Sequence, residues 1–190
     1  TKVTAVVSSG TAVLYNFTDT ERNIKMKKIA KFHKVSFKQF SDSWKDTFPQ
    51  TTEEEIHEIY QNLCLPKRAT TGSAGYDFFT PVDVVLEPGQ TVKIPTGIRV
   101  EMKVDWVLKL YPRSGLGFKY RLQLNNTVGI IDSDYFYSDN EGHIFAKITN
   151  DSKEGKTVTL QAGEGFMQGI FLAYGITQSQ IGRASCRERV

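Results

Sequence analysis

A chain of 190 residues, 39% apolar and 12% aromatic, has the material for one buried core. Its formal charge of +3 excludes a strongly basic nucleic-acid binder; no run approaches the roughly 18 apolar residues of a membrane helix, and the start lacks the basic-then-apolar order of a secretory signal. Cys64 and Cys186 are too few for a disulfide framework or a four-ligand zinc site, which points to a reducing, cytoplasmic setting.

Residues 1–25 are rich in Ser, Thr and Val without a clear period and are expected to be a non-native or disordered leader, with Met26 opening a single domain over 26–180. The last ten residues, 181–190, resemble a translated adapter and are set aside as a tail. Between these flanks acidic and basic side chains are equal in number, so charge gives no footing for a nucleic-acid or membrane partner. In 28–40, Ile29, Phe32, Val35, Phe37 and Phe40 lie among lysines with a mixed period, predicting an edge strand. Thr52 followed by Glu53, Glu54 and Glu55 forms a capping box ahead of Ile56, Ile59, Tyr60 and Leu63, which predicts one short amphipathic helix over 52–64, closed by Leu65-Pro66. The three glutamates suit the positive end of the helix dipole, and a solvated helix start is sufficient reason for them.

Beyond Pro66, short runs of Val, Ile, Phe and Tyr recur between Gly and Pro: 82–86, 91–94, 97–104, 106–111, 143–150, 156–160 and 167–172. Glu87-Pro88-Gly89-Gln90 reads as a turn, and Gly163-Glu164-Gly165 breaks another pair. Many short strands with one helix, no repeat and no linker predict an all-β barrel or sandwich.

Four polar, glycine-rich islands remain: Gly72–Asp77, Pro112–Gly117, Asn125–Tyr135 and Gly163–Gly169. Singly, each has an ordinary explanation as a turn or loop. Together they suit a phosphorylated ligand, because Arg113, Ser114 and the backbone around Gly115 and Gly117 supply a planar cation, a hydroxyl and closely approaching N–H groups. Asp132 and Asp134 would point to opposite faces if their stretch is a strand, leaving one for a pocket. Asp77 offers a separate carboxylate for the waters of a hydrated Mg²⁺. His33, His57 and His143 lie outside the islands and Cys64 on the helix, so metal-assisted phosphoryl chemistry is favoured over acyl transfer.

At these islands, from about Pro66 to Gly175, the chain resembles the homotrimeric all-β dUTPases, which cleave dUTP to dUMP and pyrophosphate with Mg²⁺. Four of that family's five motifs occur in order: Ala74-Gly75-Tyr76-Asp77, Pro112-Arg113-Ser114-Gly115-Leu116, Gly129-Ile130-Ile131-Asp132-Ser133-Asp134-Tyr135, and the run from Gly163 to Phe171. The third is the most specific. The resemblance implies a distorted, jelly-roll-like barrel of short antiparallel strands that assembles as a homotrimer.

It also implies roles. Asp132 matches the aspartate that deprotonates the water attacking the α-phosphorus, and Tyr135 the tyrosine beneath the deoxyribose that refuses a 2′-hydroxyl. Asn126 matches a hairpin asparagine that reads the uracil edge, with Gly129 and Ile131 as neighbouring substrate-binding positions. Arg113, Ser114, Gly115 and Gln168 match residues along the phosphate chain, and Asp77 the carboxylate associated with Mg²⁺. Each pocket would combine a hairpin from one subunit with phosphate-binding loops from its neighbour.

Two departures stand out. No glycine-rich fifth motif follows Gly175-Ile176-Thr177-Gln178, so a chain cut before its lid, with impaired turnover, is expected. After Tyr135 the chain runs through a longer polar loop, residues 136–142, to which no function attaches. The alternatives are a dCTP deaminase, which needs a glutamate to activate water, and a nucleotide-gated regulatory binding protein on the same fold.

Overall fold

Buried and exposed side chains alternate along the short segments beyond Pro66, and these segments pair as antiparallel strands. The computed structural model describes residues 6–8, 11–13 and 27–178. Most of the expected leader and the whole tail at 181–190 therefore lie outside the described residues; within the leader, β1 (Val6–Ser8) pairs with β2 (Thr11–Val13). There follow β3 (Ala30–Lys34), α1 (Phe37–Thr47), α2 (Glu53–Asn62), β4 (Tyr76–Phe79), β5 (Val84–Leu86), β6 (Thr91–Pro95), β7 (Ile98–Met102) and β8 (Trp106–Pro112). The chain continues through α3 (Ser114–Tyr120), β9 (Leu122–Leu124), β10 (Gly129–Ile131), a 3-10 turn (Ser133–Tyr137), β11 (Phe145–Asn150), β12 (Val158–Leu160) and β13 (Gly165–Ala173).

Four antiparallel ladders, β10-β8-β13-β4, β6-β11-β9, β12-β5 and β3-β7, wrap one core in the jelly-roll-like manner expected. Phe78, Leu108, Leu110, Leu122, Ile148 and Phe166 lie in that core, all nearly free of solvent. Truncating a leucine there to alanine costs about 2–5 kcal/mol. The turn at 87–90 forms as read, with the Gln90 N–H donating to the Glu87 carbonyl at 3.0 Å.

The helix content differs from expectation. Among the described residues three α-helices stand where one was predicted, and the edge strand over 28–40 stops at Lys34. Ser36 then caps α1, its hydroxyl accepting the Gln39 N–H at 3.1 Å. Phe37, Phe40, Trp44 and Phe48 are spaced 3, 4 and 4 apart, a helical period that outweighs the strand-like alternation before it. The capping box of α2 forms, with the Thr52 N–H donating to the Glu55 carboxylate at 2.8 Å. Cys64 falls just past that helix and is exposed.

α1 and α2 enclose a second small core of Val35, Phe40, Trp44, Ile56 and Leu63. It meets the barrel at Gly97, whose N–H donates to Nε2 of the fully buried His143 at 2.8 Å. Gly97 has φ +71°, and a Cβ there would collide with Leu63, so only glycine fits. Since Nε2 accepts a backbone N–H, His143 carries its proton on Nδ1, facing the Ser43 hydroxyl at 3.1 Å. Burial, with help from Lys93 and against the pull of Glu141, lowers the His143 pKa to about 4. Among the described residues, no helix is long and apolar enough to cross a membrane.

Candidate active site

Two groups of candidate residues emerge, one at each side of the barrel sheet. The first surrounds a cavity of about 540 Å³, a size suited to a small ligand, whose walls include Asn126, Gly129, Tyr135, Asn140, Phe145 and Met167. Asn126 occupies a tight turn in which the Thr127 N–H donates to the Leu124 carbonyl at 2.8 Å and Thr127 takes φ +66°. The turn does not join a paired hairpin as expected. β9 belongs to the β11 sheet and β10 pairs with β8, so Asn126 marks a corner where the chain changes sheets. Ile131 packs its side chain on the barrel core, leaving its backbone as what it can offer a ligand.

Asp132 follows the last residue of β10 and stands at the N-terminal position of the 3-10 turn, where its carbonyl accepts the Tyr135 N–H at 3.2 Å and its side chain makes no capping bond. The stretch is therefore not a continuous strand, and the expected alternation of Asp132 and Asp134 does not apply. The turn carries the chain back so that Tyr135 reaches the cavity wall. The Tyr135 hydroxyl donates to the His143 carbonyl at 2.9 Å and accepts from Asn140 Nδ2 at 2.8 Å.

The second group lies across β13. Asp77 on β4 stands opposite Gln168 on β13, and Gln168 opposite Tyr111 on β8. Arg113 leaves the end of β8; its Nη1 donates to the Gly165 carbonyl at 3.2 Å and its Nε lies 3.4 Å from Asp77 Oδ1. The Pro112–Gly117 island, read as a loop, is the start of α3, with Arg113 at the cap and Ser114 and Gly115 exposed in the first turn.

Within one chain Asp132 does not meet the second group. Ile131 pairs with Leu108, whereas Arg113 follows Pro112 at the far end of the same strand. Five residues of strand put on the order of 17 Å between Leu108 and Arg113. The Arg113 guanidinium also turns toward β13 and β4, on the opposite side of β8 from β10. Asp132 thus stands apart from Arg113, Asp77 and Gln168.

Several cavity residues were not foreseen. Phe145 and Lys147 on β11 are the solvent-facing partners of buried Ala146 and Ile148, a period-2 signal visible once the strand is assigned. Lys93 sits with its ammonium 4.8 Å from the centre of the Phe145 ring. Asn140 was not singled out because no recognisable motif joins it to its partners Tyr135, Ser138 and Gly142, although all three lie within five residues of it.

A protein-family model described as dUTPase matches residues 61–189. The deoxyuridine 5′-triphosphate nucleotidohydrolase of Lactococcus lactis subsp. lactis is 40% identical over 123 residues, covering 63% of this chain and 81% of that protein. That of Haemophilus ducreyi is 42% identical over 119 residues, 61% of this chain and 74% of its own length. Among solved structures, dUTPase from Streptococcus mutans superposes with a TM-score of 0.56 at 36% identity, covering 78% of this chain and 98% of that one. A mutant dUTPase of Staphylococcus bacteriophage 80alpha, solved with dUpNHpp, gives a TM-score of 0.57 over 83% of this chain and 97% of that one; at 20% identity the likeness is one of fold. With most of its length matched by one family model and these relatives beside it, the chain belongs to the dUTPase family.

Proposed function

We propose that this chain hydrolyses dUTP to dUMP and pyrophosphate in the cytoplasm, in active sites shared between the copies of a homotrimer. The observation that carries the reading is the separation of two chemically complementary half-sites. A walled cavity bears Asn126 and Tyr135, and a charged patch bears Arg113, Gln168 and Asp77. A general base and a phosphate clamp must act on one triphosphate, so the two groups have to come from different copies. The solvent-facing row Ile130, Lys109 and Ile170 crosses the same sheet beside the row Tyr111, Gln168 and Asp77. Ile130 is 52% exposed, an apolar surface that a neighbouring copy would cover next to the phosphate residues.

In this reading the Asn126 carboxamide and the backbone of its corner pair with the uracil edge, and the closeness of that backbone refuses a C5 methyl. The order of donor and acceptor leaves cytosine with unpaired groups. Tyr135 places its ring beneath the deoxyribose. Asp132 accepts the 3′-hydroxyl and takes a proton from water as the water oxygen bonds to the α-phosphorus. The bond from that phosphorus to the bridging oxygen breaks, and pyrophosphate leaves with the electron pair. Arg113, Ser114, Gly115 and Gln168 of a neighbouring copy hold the charge that moves onto it.

The described residues contain no cluster of three or more His, Cys, Asp or Glu that would cage a metal. A single half-buried carboxylate, Asp77, suits a hydrated Mg²⁺ and would hold it through its waters. Such an ion would supply charge neutralisation at the phosphates. Pyrophosphate release should be measured with dUTP, UTP, dCTP and dTTP in the presence of Mg²⁺. Turnover of dUTP with the other three at least about a hundredfold slower is expected. Equal turnover of all four, or turnover of none, would remove the proposal.

A further inference from the structure

We propose that Asn140, in the polar loop after the 3-10 turn, is a positioning residue for sugar discrimination and acts through the hydroxyl of Tyr135. The inference rests on the reading of Tyr135 as the platform beneath the deoxyribose. A half-buried tyrosine on a cavity wall is fixed only if something holds its far end. Here the hydroxyl is held twice, donating to the His143 carbonyl at 2.9 Å and accepting from Asn140 Nδ2 at 2.8 Å.

The orientation of the Asn140 amide is itself determined. Its Oδ1 accepts the Gly142 N–H at 3.1 Å and faces the Ser138 hydroxyl at 2.7 Å, so its NH₂ must face Tyr135. The Ser138 hydroxyl also lies 2.7 Å from the Tyr135 carbonyl, tying the loop to the backbone of the residue it positions. Gly142 has φ +70°, and a Cβ there would stand 2.7 Å from the Tyr135 carbonyl oxygen; glycine is what lets the loop return so closely.

The outer side of the loop is anchored too. Glu141 accepts the Ser36 hydroxyl at 2.6 Å and the Ser36 N–H at 2.8 Å, at the cap of α1. Arg99 donates to the Phe136 carbonyl at 2.6 Å while its guanidinium lies 3.6 Å from the centre of the Phe136 ring. A loop fastened at both faces makes a rigid mount for one phenol.

Two consequences follow for the ligand. With its donor used by His143 and an acceptor site by Asn140, the hydroxyl is committed to the protein, so a 2′-hydroxyl placed against Tyr135 meets ring and finds little to bond. The exclusion is then steric, and it holds only while the ring cannot yield. Releasing the phenol from Asn140 should admit ribose before it harms the reaction of deoxyribose.

The test is a double-mutant cycle read as the ratio of kcat/KM for dUTP to that for UTP, using the full chain with Mg²⁺. Asn140→Ala and Tyr135→Phe should each lower the ratio about tenfold, chiefly through a rise in kcat/KM for UTP. Because both remove the same link, the double variant should be no worse than Tyr135→Phe alone. Ser138→Ala loosens the same loop while keeping the Asn140 donor to the phenol, so it should leave the ratio within about twofold and guards against simple loss of the loop. An unchanged ratio in Asn140→Ala, an equal loss in Ser138→Ala, or penalties that multiply in the double variant, would overturn the proposal. A wild-type chain that turns over dUTP and UTP alike would instead defeat the reading of Tyr135 on which it stands.

Discussion

On the cavity side, the contacts that shape Tyr135 are made inside the chain: its hydroxyl reaches His143 and Asn140, and the loop carrying Asn140 is fastened to Ser36 and Arg99. On the phosphate side, Ser114 and Gly115 stand in solvent, and Arg113 is steadied by one carbonyl and a 3.4 Å ion pair to Asp77. The difference follows from what each side has to recognise. A neutral base and sugar are told from their relatives by single atoms, which requires walls already in place. A triphosphate needs charge, and charge can be brought by a second copy as the site closes. The cavity side is therefore preorganised within the fold, and in the proposed shared site the phosphate side would be completed by a second copy.

The largest break should come from Asp132, exposed just after β10, whose side chain makes no capping bond to the 3-10 turn. Asp132→Asn should lower kcat by about 10³–10⁴ with little change in KM, read by steady-state pyrophosphate release. A drop below tenfold would take the general-base role from this residue. Arg113→Ala comes next, with kcat/KM reduced by about 10²–10³ and melting temperature nearly unchanged, because the side chain is exposed. Arg113→Lys should recover only part of this, since an ammonium lacks the planar fork. Full activity in the lysine variant would mean that charge alone suffices there.

The smallest effect concerns stability and should fall on the cavity side, where His143 is buried at the junction with the helices. Above pH 6.5 its imidazole is neutral in both folded and unfolded chains. As pH falls from 6.5 toward about 4, the unfolded chain takes up a proton that the folded chain refuses, so stability is lost across that window. By pH 5 the loss is about 2 kcal/mol, and below about 4 it levels off. Glu141 acts in a lower window: burial works against its charge, but the two donors of Ser36 and nearby Arg99 hold its pKa below the ordinary carboxylate value. Its stabilisation is lost as pH drops through that lowered value. Urea unfolding between pH 7.5 and pH 5 isolates His143; a flat profile, or one that His143→Gln fails to flatten, would contradict its assignment.

The strands that were legible in the sequence are those that concentrate Val, Ile, Phe and Tyr between turn residues, from the long Trp106–Pro112 to the three-residue β5 and β12. β4 and β10 begin inside the polar, glycine-rich islands, and β9 is a run of three residues beside one of them, so none of these stood out. α1 was hidden by its polar content, since Ser41, Asp42 and Ser43 separate Phe40 from Trp44. The chemical islands were visible because they concentrate Gly, Asp and Arg, and their local motifs carried the family resemblance. Their distribution in space was not. It depends on register, on Ile131 facing Leu108 while Arg113 lies beyond Pro112, and no local pattern encodes that pairing. The loop at 136–142 was opaque for a similar reason: Glu141 meets Ser36 across 105 residues of sequence.

Mixing two inactive variants tests most directly whether the half-sites act across copies. Asp132→Asn and Arg113→Ala chains would be unfolded together, refolded at equal amounts and assayed for pyrophosphate release from dUTP. If each site takes Asp132 from one copy and Arg113 from the next, random trimers should regain roughly a quarter of wild-type activity. If both residues serve a site within one chain, the mixture should stay as inactive as either variant alone, and the shared-site account would be wrong.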